Sequence, residues 1–243
     1  NVALTGSIRL VEHNSAIENA ELATVLGNTF TMESYTYANQ TIYRVPISSP
    51  IEYGWQKRDI DSIRNKYLWF GGSGFVHKGL DLALELFAAL PDYQLFVCGP
   101  FEKEKAFLQE FHRELFETQN IHPVGWVDVN DVKFKEILDQ CMGIFYPSCA
   151  EGGGGSVITC MHAGVIPVAS YEASVDIKGN GITLADCSFS EMKKEITRLS
   201  DLGSNELEEM MQQTWQFAST VHSKESFARK YKEFVLNVLL QSD

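Results

Sequence analysis

Lys78 and Glu151 each stand beside a glycine-rich turn, so the chain holds an ammonium and a carboxylate where a small ligand can meet backbone closely. Lys78 belongs to the stretch 70–79 (Phe-Gly-Gly-Ser-Gly-Phe-Val-His-Lys-Gly), which ends an apolar run and leads into an amphipathic period. The start of a helix carries partial positive charge, and a cation placed there is unfavourable by about 0.3–1 kcal/mol unless an anion lies nearby. The placement points to a bound phosphate or carboxylate, with Gly72, Ser73 and Gly74 freeing the backbone to approach it. The turn is neither G-x-G-x-x-G nor a Walker motif. Glu151 follows 147–150 (Pro-Ser-Cys-Ala) and precedes Gly152, Gly153, Gly154, Gly155 and Ser156. Four adjacent glycines cost about 0.5–1 kcal/mol each relative to alanine, which close packing against a ligand would offset. Ser156 can cap the following helix, and Glu151 can accept hydrogen bonds from hydroxyls.

The elements that must carry these loops are legible in the apolar pattern. Tyr67–Phe70, Gln94–Cys98, Ile121–Val124, Gly143–Tyr146, Val165–Ala169 and Gly181–Leu184 read as buried strands. Between them Leu80, Ala83, Leu84, Phe87 and Ala88, then Phe107, Leu108, Phe111 and Leu115, then Phe134, Ile137 and Leu138 repeat at helical spacing. Strand alternating with helix predicts an α/β fold, a doubly wound parallel sheet, with ligand at the carboxyl ends of its strands. Leu207, Met210 and Met211, and then Phe227, Tyr231, Phe234, Val235 and Val238, mark extra C-terminal helices. Residues 1–48 read as the trailing part of a preceding Rossmann-like domain: one strand near Leu22–Leu26, a turn at Gly27 and Asn28, a helix, and extended Thr41–Val45. Residues 46–50 connect it to a main domain over 49–243.

Composition narrows the function classes. A net charge of −12 at pH 7 argues against nucleic-acid or anionic-membrane partners, which need clustered Lys and Arg. Five cysteines without C-x-x-C spacing indicate neither a disulfide framework nor a zinc site, and fit a reducing cytoplasm. His13, His77, His112, His122, His162 and His222 show no metal-ligand spacing, and no carboxylates cluster around the rim of the two glycine loops, so no metal is expected. No apolar run reaches membrane-spanning length, so no direct membrane insertion is expected. The chain begins at Asn1 without methionine and is read as a piece of something longer.

In order, the first glycine turn with 78–82 (Lys-Gly-Leu-Asp-Leu), 98–100 (Cys-Gly-Pro), 124–127 (Val-Gly-Trp-Val), 147–152 (Pro-Ser-Cys-Ala-Glu-Gly) and 163–168 (Ala-Gly-Val-Ile-Pro-Val) resemble one family. It is the glycosyl transferases group 1 type: retaining glycosyltransferases with two facing Rossmann-like domains, of which this chain is similar to the C-terminal, donor-binding one. The resemblance implies that Lys78 holds the donor diphosphate without a metal or other cofactor and that Glu151 contacts the donor sugar, these two being the catalytic candidates. It further implies that Gly154, Gly155, Ser156 and Val157 meet sugar hydroxyls and phosphate, that Trp126 and Val127 lie near the base, and that Asp176 is an acidic neighbour. The chain departs from the family at Ser73, where an arginine is usual, and at Thr159, where a second glutamate usually binds the ribose. The implied activity is transfer of a sugar from a nucleotide-diphosphate sugar to the hydroxyl of a sugar, glycan or lipid-linked acceptor, with retention. The acceptor would be held by the preceding domain, so this piece alone would bind donor without turning it over. A nucleotide-sugar-binding module without catalysis, a sugar-nucleotide epimerase on the same architecture and a plain interaction domain are the alternatives.

Overall fold

Each apolar run of the central region becomes a strand because helices cover both faces of the sheet it joins. The computed structural model describes residues 19–240; His13 and the first part of segment 1–48 lie outside the described residues. First come β1 (Leu22–Val25), α1 (Thr29–Glu33) and β2 (Thr41–Arg44), and β1 pairs with β2 in a separate two-stranded parallel sheet. Asn28 caps α1 by accepting from the Phe30 N–H.

The main unit continues with α2 (Ile60–Ile63), β3 (Lys66–Phe70), α3 (Leu80–Ala88), β4 (Gln94–Cys98), a 3-10 turn (Phe101–Lys103), α4 (Lys105–Glu110), α5 (His112–Phe116) and β5 (Ile121–Gly125). The second half holds α6 (Val132–Asp139), β6 (Gly143–Tyr146), α7 (Gly155–Met161), β7 (Ile166–Ser170), a 3-10 turn (Tyr171–Ala173) and β8 (Ile182–Leu184). Three helices close the chain: α8 (Phe189–Ser200), α9 (Ser204–Val221) and α10 (Lys224–Leu240).

The six strands lie in the order β5-β4-β3-β6-β7-β8, every pair parallel. The chain winds outward from β3 through β4 to β5, crosses back to β6, and winds outward the other way. This is the α/β, doubly wound arrangement expected from the sequence. The winding reverses between β3 and β6, and in open parallel sheets ligands bind beyond the carboxyl ends of the strands at such a reversal.

The core sits on both sides of β3 and β6. Tyr67, Leu68 and Trp69 of β3 and Ile144, Phe145 and Tyr146 of β6 are buried, and Phe87 of α3 packs its ring 5.5 Å from Tyr67 and 5.7 Å from Phe145. Pro123 falls on β5, an edge strand, where its missing N–H costs no interior ladder bond.

Three elements differ from the sequence reading. Helix α8 was not expected, although Met192, Ile196 and Leu199 form its buried face and Ser188 caps it by accepting from the Glu191 N–H. The period through Phe107 and Leu115 forms two helices meeting at Phe111, whose ring stacks on Phe107 at 4.5 Å. The apolar face of α10 is only partly covered: Phe234 lies 5.0 Å from Tyr43 of β2, while Tyr231 and Val235 remain exposed. Among the described residues no helix is long and apolar enough to cross a membrane.

Candidate functional site

The site grows from the two loops that leave β3 and β6 at the reversal. After β3 the backbone turns through Gly74 (φ 88°) and Gly79 (φ 69°), both in the left-handed region that favours glycine. At Gly79 an added Cβ would lie 2.2 Å from the Pro147 carbonyl oxygen, so this glycine lets the first loop lie directly on the second. The Cys149 N–H and the Ser148 hydroxyl then bond the His77 carbonyl at 3.0 and 3.1 Å.

That seam brings Lys78 and Glu151 together. The ammonium of Lys78 pairs with Oε1 of Glu151, both side chains being largely buried. The Tyr146 hydroxyl donates to the same Oε1 at 2.9 Å. No hydrogen bond among the described residues reaches Oε2, which leaves one carboxylate oxygen available to an incoming hydroxyl. Burial, followed by the Glu151 charge, pushes the Tyr146 phenol far above its ordinary range, so it stays a donor. Sequence reasoning missed Tyr146 because an aromatic in a buried strand carries no polar signal of its own. Lys78 lies just before α3, whose N-cap is Gly79.

On the β3–β4–β5 side lies a cleft of about 360 Å³ that neither Lys78 nor Glu151 lines; Gly71, on its wall, lies against the Lys78 stem, and a Cβ added there would sit 3.1 Å from Lys78 Cδ. Gly72 and Ser73 line one wall, Trp126 and Val127 another. The Trp126 indole is 66% exposed, so it is a surface of the cleft rather than a packed plug beside Gly125. Gly74 does not line the cleft; its N–H donates to the Glu104 carboxylate. A second cleft, about 500 Å³, opens on the β6–β7–β8 side and is bordered by Pro147, Cys149, Tyr171 and Asp186.

Within the second glycine run, Gly154 has a different cause from the one expected. Gly154 (φ 56°) is the N-cap of α7, and a Cβ there would meet Val175 Cγ2 at 2.1 Å and the Ala173 carbonyl at 2.7 Å. The fold itself requires that glycine. At Gly153 and Gly155 the nearest atoms belong to Leu26 and Ile47, beyond 3.3 Å, and among the described residues nothing lies within 4 Å of a Cβ added at Gly152. Ser156 does not cap α7: it sits inside the first turn, and the cap residue, Gly154, has no side chain to offer. Val157 is fully buried in the core, and Thr159 is buried with its hydroxyl donating to the Gly155 carbonyl at 2.9 Å. Neither lines either cleft.

Asp176 pairs with Arg44, whose Nε also donates to the Gly27 carbonyl. Thr31 of α1 lies against Ser174 and donates to the Glu151 carbonyl at 3.4 Å. The segment before the linker therefore touches the carboxylate loop directly. His77 places Nδ1 3.6 Å from Cys149 Sγ. Among the described residues no three His, Cys, Asp or Glu side chains gather as a metal-ligand set.

Comparison with curated proteins finds no match. Solved structures of similar fold include a mutant of S. aureus TarM in complex with fondaparinux, alpha-GlcNAc-glycerol and UDP (TM-score 0.69, 16% identity, 89% of this chain and 45% of that one). Anabaena HepE in complex with UDP and glucose aligns with TM-score 0.73 at 13% identity over 91% of this chain and 65% of that one. Sucrose-phosphate synthase from Thermosynechococcus elongatus aligns with TM-score 0.70 at 16% identity over 93% and 60%. The chain thus spans between 45% and 65% of the length of these neighbours, and at such identity they establish the fold. Residues 57–214, which carry both loops and all six strands of the sheet, match the family model for glycosyl transferases group 1, and the chain belongs to that family.

Proposed function

We propose that this chain is the donor-binding half of a glycosyltransferase that transfers a sugar from a nucleotide-diphosphate sugar to an acceptor hydroxyl, with retention and without a metal. The observation that carries this reading is the meeting of Lys78 and Glu151 at the winding reversal, one from each flanking loop, the first of which also lines an open cleft through Gly71, Gly72 and Ser73. The complexes of TarM with UDP and of HepE with UDP and glucose support a nucleotide-sugar donor.

In this reading the ammonium of Lys78 neutralises charge growing on the departing diphosphate. Fixed charges already aimed at the leaving group need no reorganisation in the transition state, which makes such electrostatics the main contribution. Oε1 of Glu151 holds the ammonium in place, and Oε2 accepts from a donor-sugar hydroxyl. The nucleoside lies in the cleft of Gly72, Ser73, Trp126 and Val127. Residues 1–48 end a preceding domain that supplies the acceptor.

The test is thermal shift or calorimetry with UDP-, GDP- and ADP-sugars on the chain and on Lys78→Ala and Glu151→Ala. One donor class should stabilise the wild type and both variants should lose that response; an equal response in all three proteins refutes the assignment. A binding module without turnover is the second reading, favoured by the buried, backbone-bonded Thr159 hydroxyl. Donor that binds the longer protein yet is neither transferred nor hydrolysed would select it.

A further inference from the structure

We infer that His222 and His162 form a proton-sensitive clasp on residues 46–50, the stretch that joins the two-stranded sheet to the main unit, and that acid opens this clasp locally, without unfolding the six-stranded sheet. The clasp is independent of the donor-site reading above.

His222 is its hub. This residue is the C-cap of α9 and holds the connecting stretch at two points: its carbonyl accepts from the Ser49 N–H at 3.2 Å, and its ring Nδ1 donates to the Ile47 carbonyl at 2.9 Å. His162, the C-cap of α7, donates from Nε2 to the same His222 carbonyl at 3.2 Å. The Ser49 hydroxyl adds a tie to α7, donating to the Thr159 hydroxyl at 3.4 Å. Two helices and the connecting stretch therefore meet at one residue, and Ser49, His162 and His222 are all buried there.

These bonds set the tautomers. A backbone carbonyl only accepts, so the ring proton sits on Nδ1 of His222 and on Nε2 of His162. The remaining nitrogens, His222 Nε2 and His162 Nδ1, are buried and have no partner among the described residues. A second proton on either ring would create a charged N–H with no acceptor to receive it.

The charged groups around the rings do not remove that penalty. On the His222 side Asp176 and Arg44 pair with each other and pull in opposite directions, while His162 opposes a charge on His222. On the His162 side stands Glu52, whose Oε1 accepts from the Lys224 N–H at 3.2 Å. Burial outweighs Asp176 and Glu52 and lowers the proton affinity of both rings. An opened clasp gives the rings to water, where a histidine takes its proton near pH 6.5. One pH unit below that value, each ring favours the open form by up to about tenfold. The stretch follows β2 directly, and Thr31 of the adjoining α1 donates to the Glu151 carbonyl, so an open clasp loosens the anchorage of that contact.

The experiment is amide hydrogen exchange of the chain, followed by NMR at about pH 7.5 and about pH 5.5 and expressed as protection factors, which cancel the pH dependence of a free amide. Ser49 reports the clasp; Leu68 and Phe145 report the six-stranded sheet. Protection at Ser49 should fall by about tenfold or more between the two conditions and lie at least about tenfold below that of Leu68 and Phe145 at the lower pH. Dilute urea should speed exchange at Leu68 and Phe145 and leave Ser49 unchanged, because a local opening exposes little surface. His222→Asn and His162→Gln each keep an amide N–H near the donating ring nitrogen and take up no proton. Combined, they should keep Ser49 protected at pH 7.5 and remove most of its fall. A Ser49 amide indifferent to pH overturns the inference, as does one protected as strongly as Leu68 and Phe145 at pH 5.5, which would mean that it exchanges only through global unfolding. A fall that persists in the double variant overturns it too; should that variant not fold, the single variants decide, and a full fall in both has the same meaning.

Discussion

The phenol of Tyr146 donates a 2.9 Å hydrogen bond to Oε1 of Glu151, the same oxygen that takes the Lys78 ammonium. Two donors from different elements thus converge on one carboxylate oxygen, and the orientation of Glu151 is fixed from beneath by the sheet and from the side by the first loop.

Tyr146→Phe removes one of those donors without changing the packed ring. Stability should fall by about 1 kcal/mol, and affinity for the nucleotide sugar should weaken by about threefold to tenfold, as expected for the loss of one bond to a charged group. Denaturant unfolding and calorimetry on the same variant measure both. Unchanged affinity alongside reduced stability would confine Tyr146 to a folding role.

Lys78 and Glu151 should be energetically coupled. Each single alanine substitution leaves a largely buried charge short of its partner and should cost about 1–3 kcal/mol. The double variant should cost less than the sum by about 1 kcal/mol or more, read from a double-mutant cycle in denaturant. Strict additivity would mean that the pair contributes nothing as a pair.

The glycines should sort by what surrounds them. Gly79→Ala and Gly154→Ala each place a Cβ within 2.3 Å of a neighbouring atom at positive φ, and each should destabilise by more than about 2 kcal/mol. Gly152→Ala enters open space outside the left-handed region and should stay within about 0.5 kcal/mol of the wild type. Melting curves of the three variants decide it, and a Gly152→Ala protein as damaged as the others would show that the loop packs differently.

Acid should weaken the fold through two buried histidines. His222 Nδ1 bonds the Ile47 carbonyl at 2.9 Å and His162 Nε2 bonds the His222 carbonyl at 3.2 Å, while the other nitrogen of each ring is buried without a partner among the described residues. Burial lowers both pKa values below 6.5, outweighing the opposing pull of Asp176 on His222 and of Glu52 on His162. The unfolded chain therefore binds more protons than the folded one as pH falls below about 6.5, and stability must drop with it. Asp81, pushed up by burial, acts in the opposite direction toward the acid end, and the lowered carboxylates Asp61, Asp128 and Asp186 add their losses only below their ordinary range near 3.8. Melting temperature should decline between pH 7 and pH 5.5, and His162→Gln should flatten that slope; a flat wild-type profile would refute the account.

The sheet was readable because its strands are covered on both faces and so appear as unbroken apolar runs; ends were misplaced by one residue at Lys66, Gly125, Ile166, Ser170 and Ile182. Helix α8 escaped notice because charged residues fill the spaces between Met192, Ile196 and Leu199, including Glu195, which is buried beside Lys194 and Arg198. At the site, Lys78 and Glu151 stood out as charges next to glycines. Within the glycine run Gly154 was misread: it answers to Val175 and Ala173, residues some twenty positions onward that spacing alone does not bring near. Ser156 and Thr159 have the right types to cap a helix or bind a ribose, but the exact start of α7 decides where they point, and that start depends on Gly154 adopting a left-handed turn.

Arg44, Thr31 and Asn28 reach forward to Asp176, Ser174 and the Tyr171 carbonyl. A clone trimmed to begin at residue 49 would keep the whole six-stranded sheet yet remove the props from the segment that bears Glu151. Such a trimmed protein would give a sound circular-dichroism spectrum and a poor ligand titration, so expression boundaries belong upstream of Leu22.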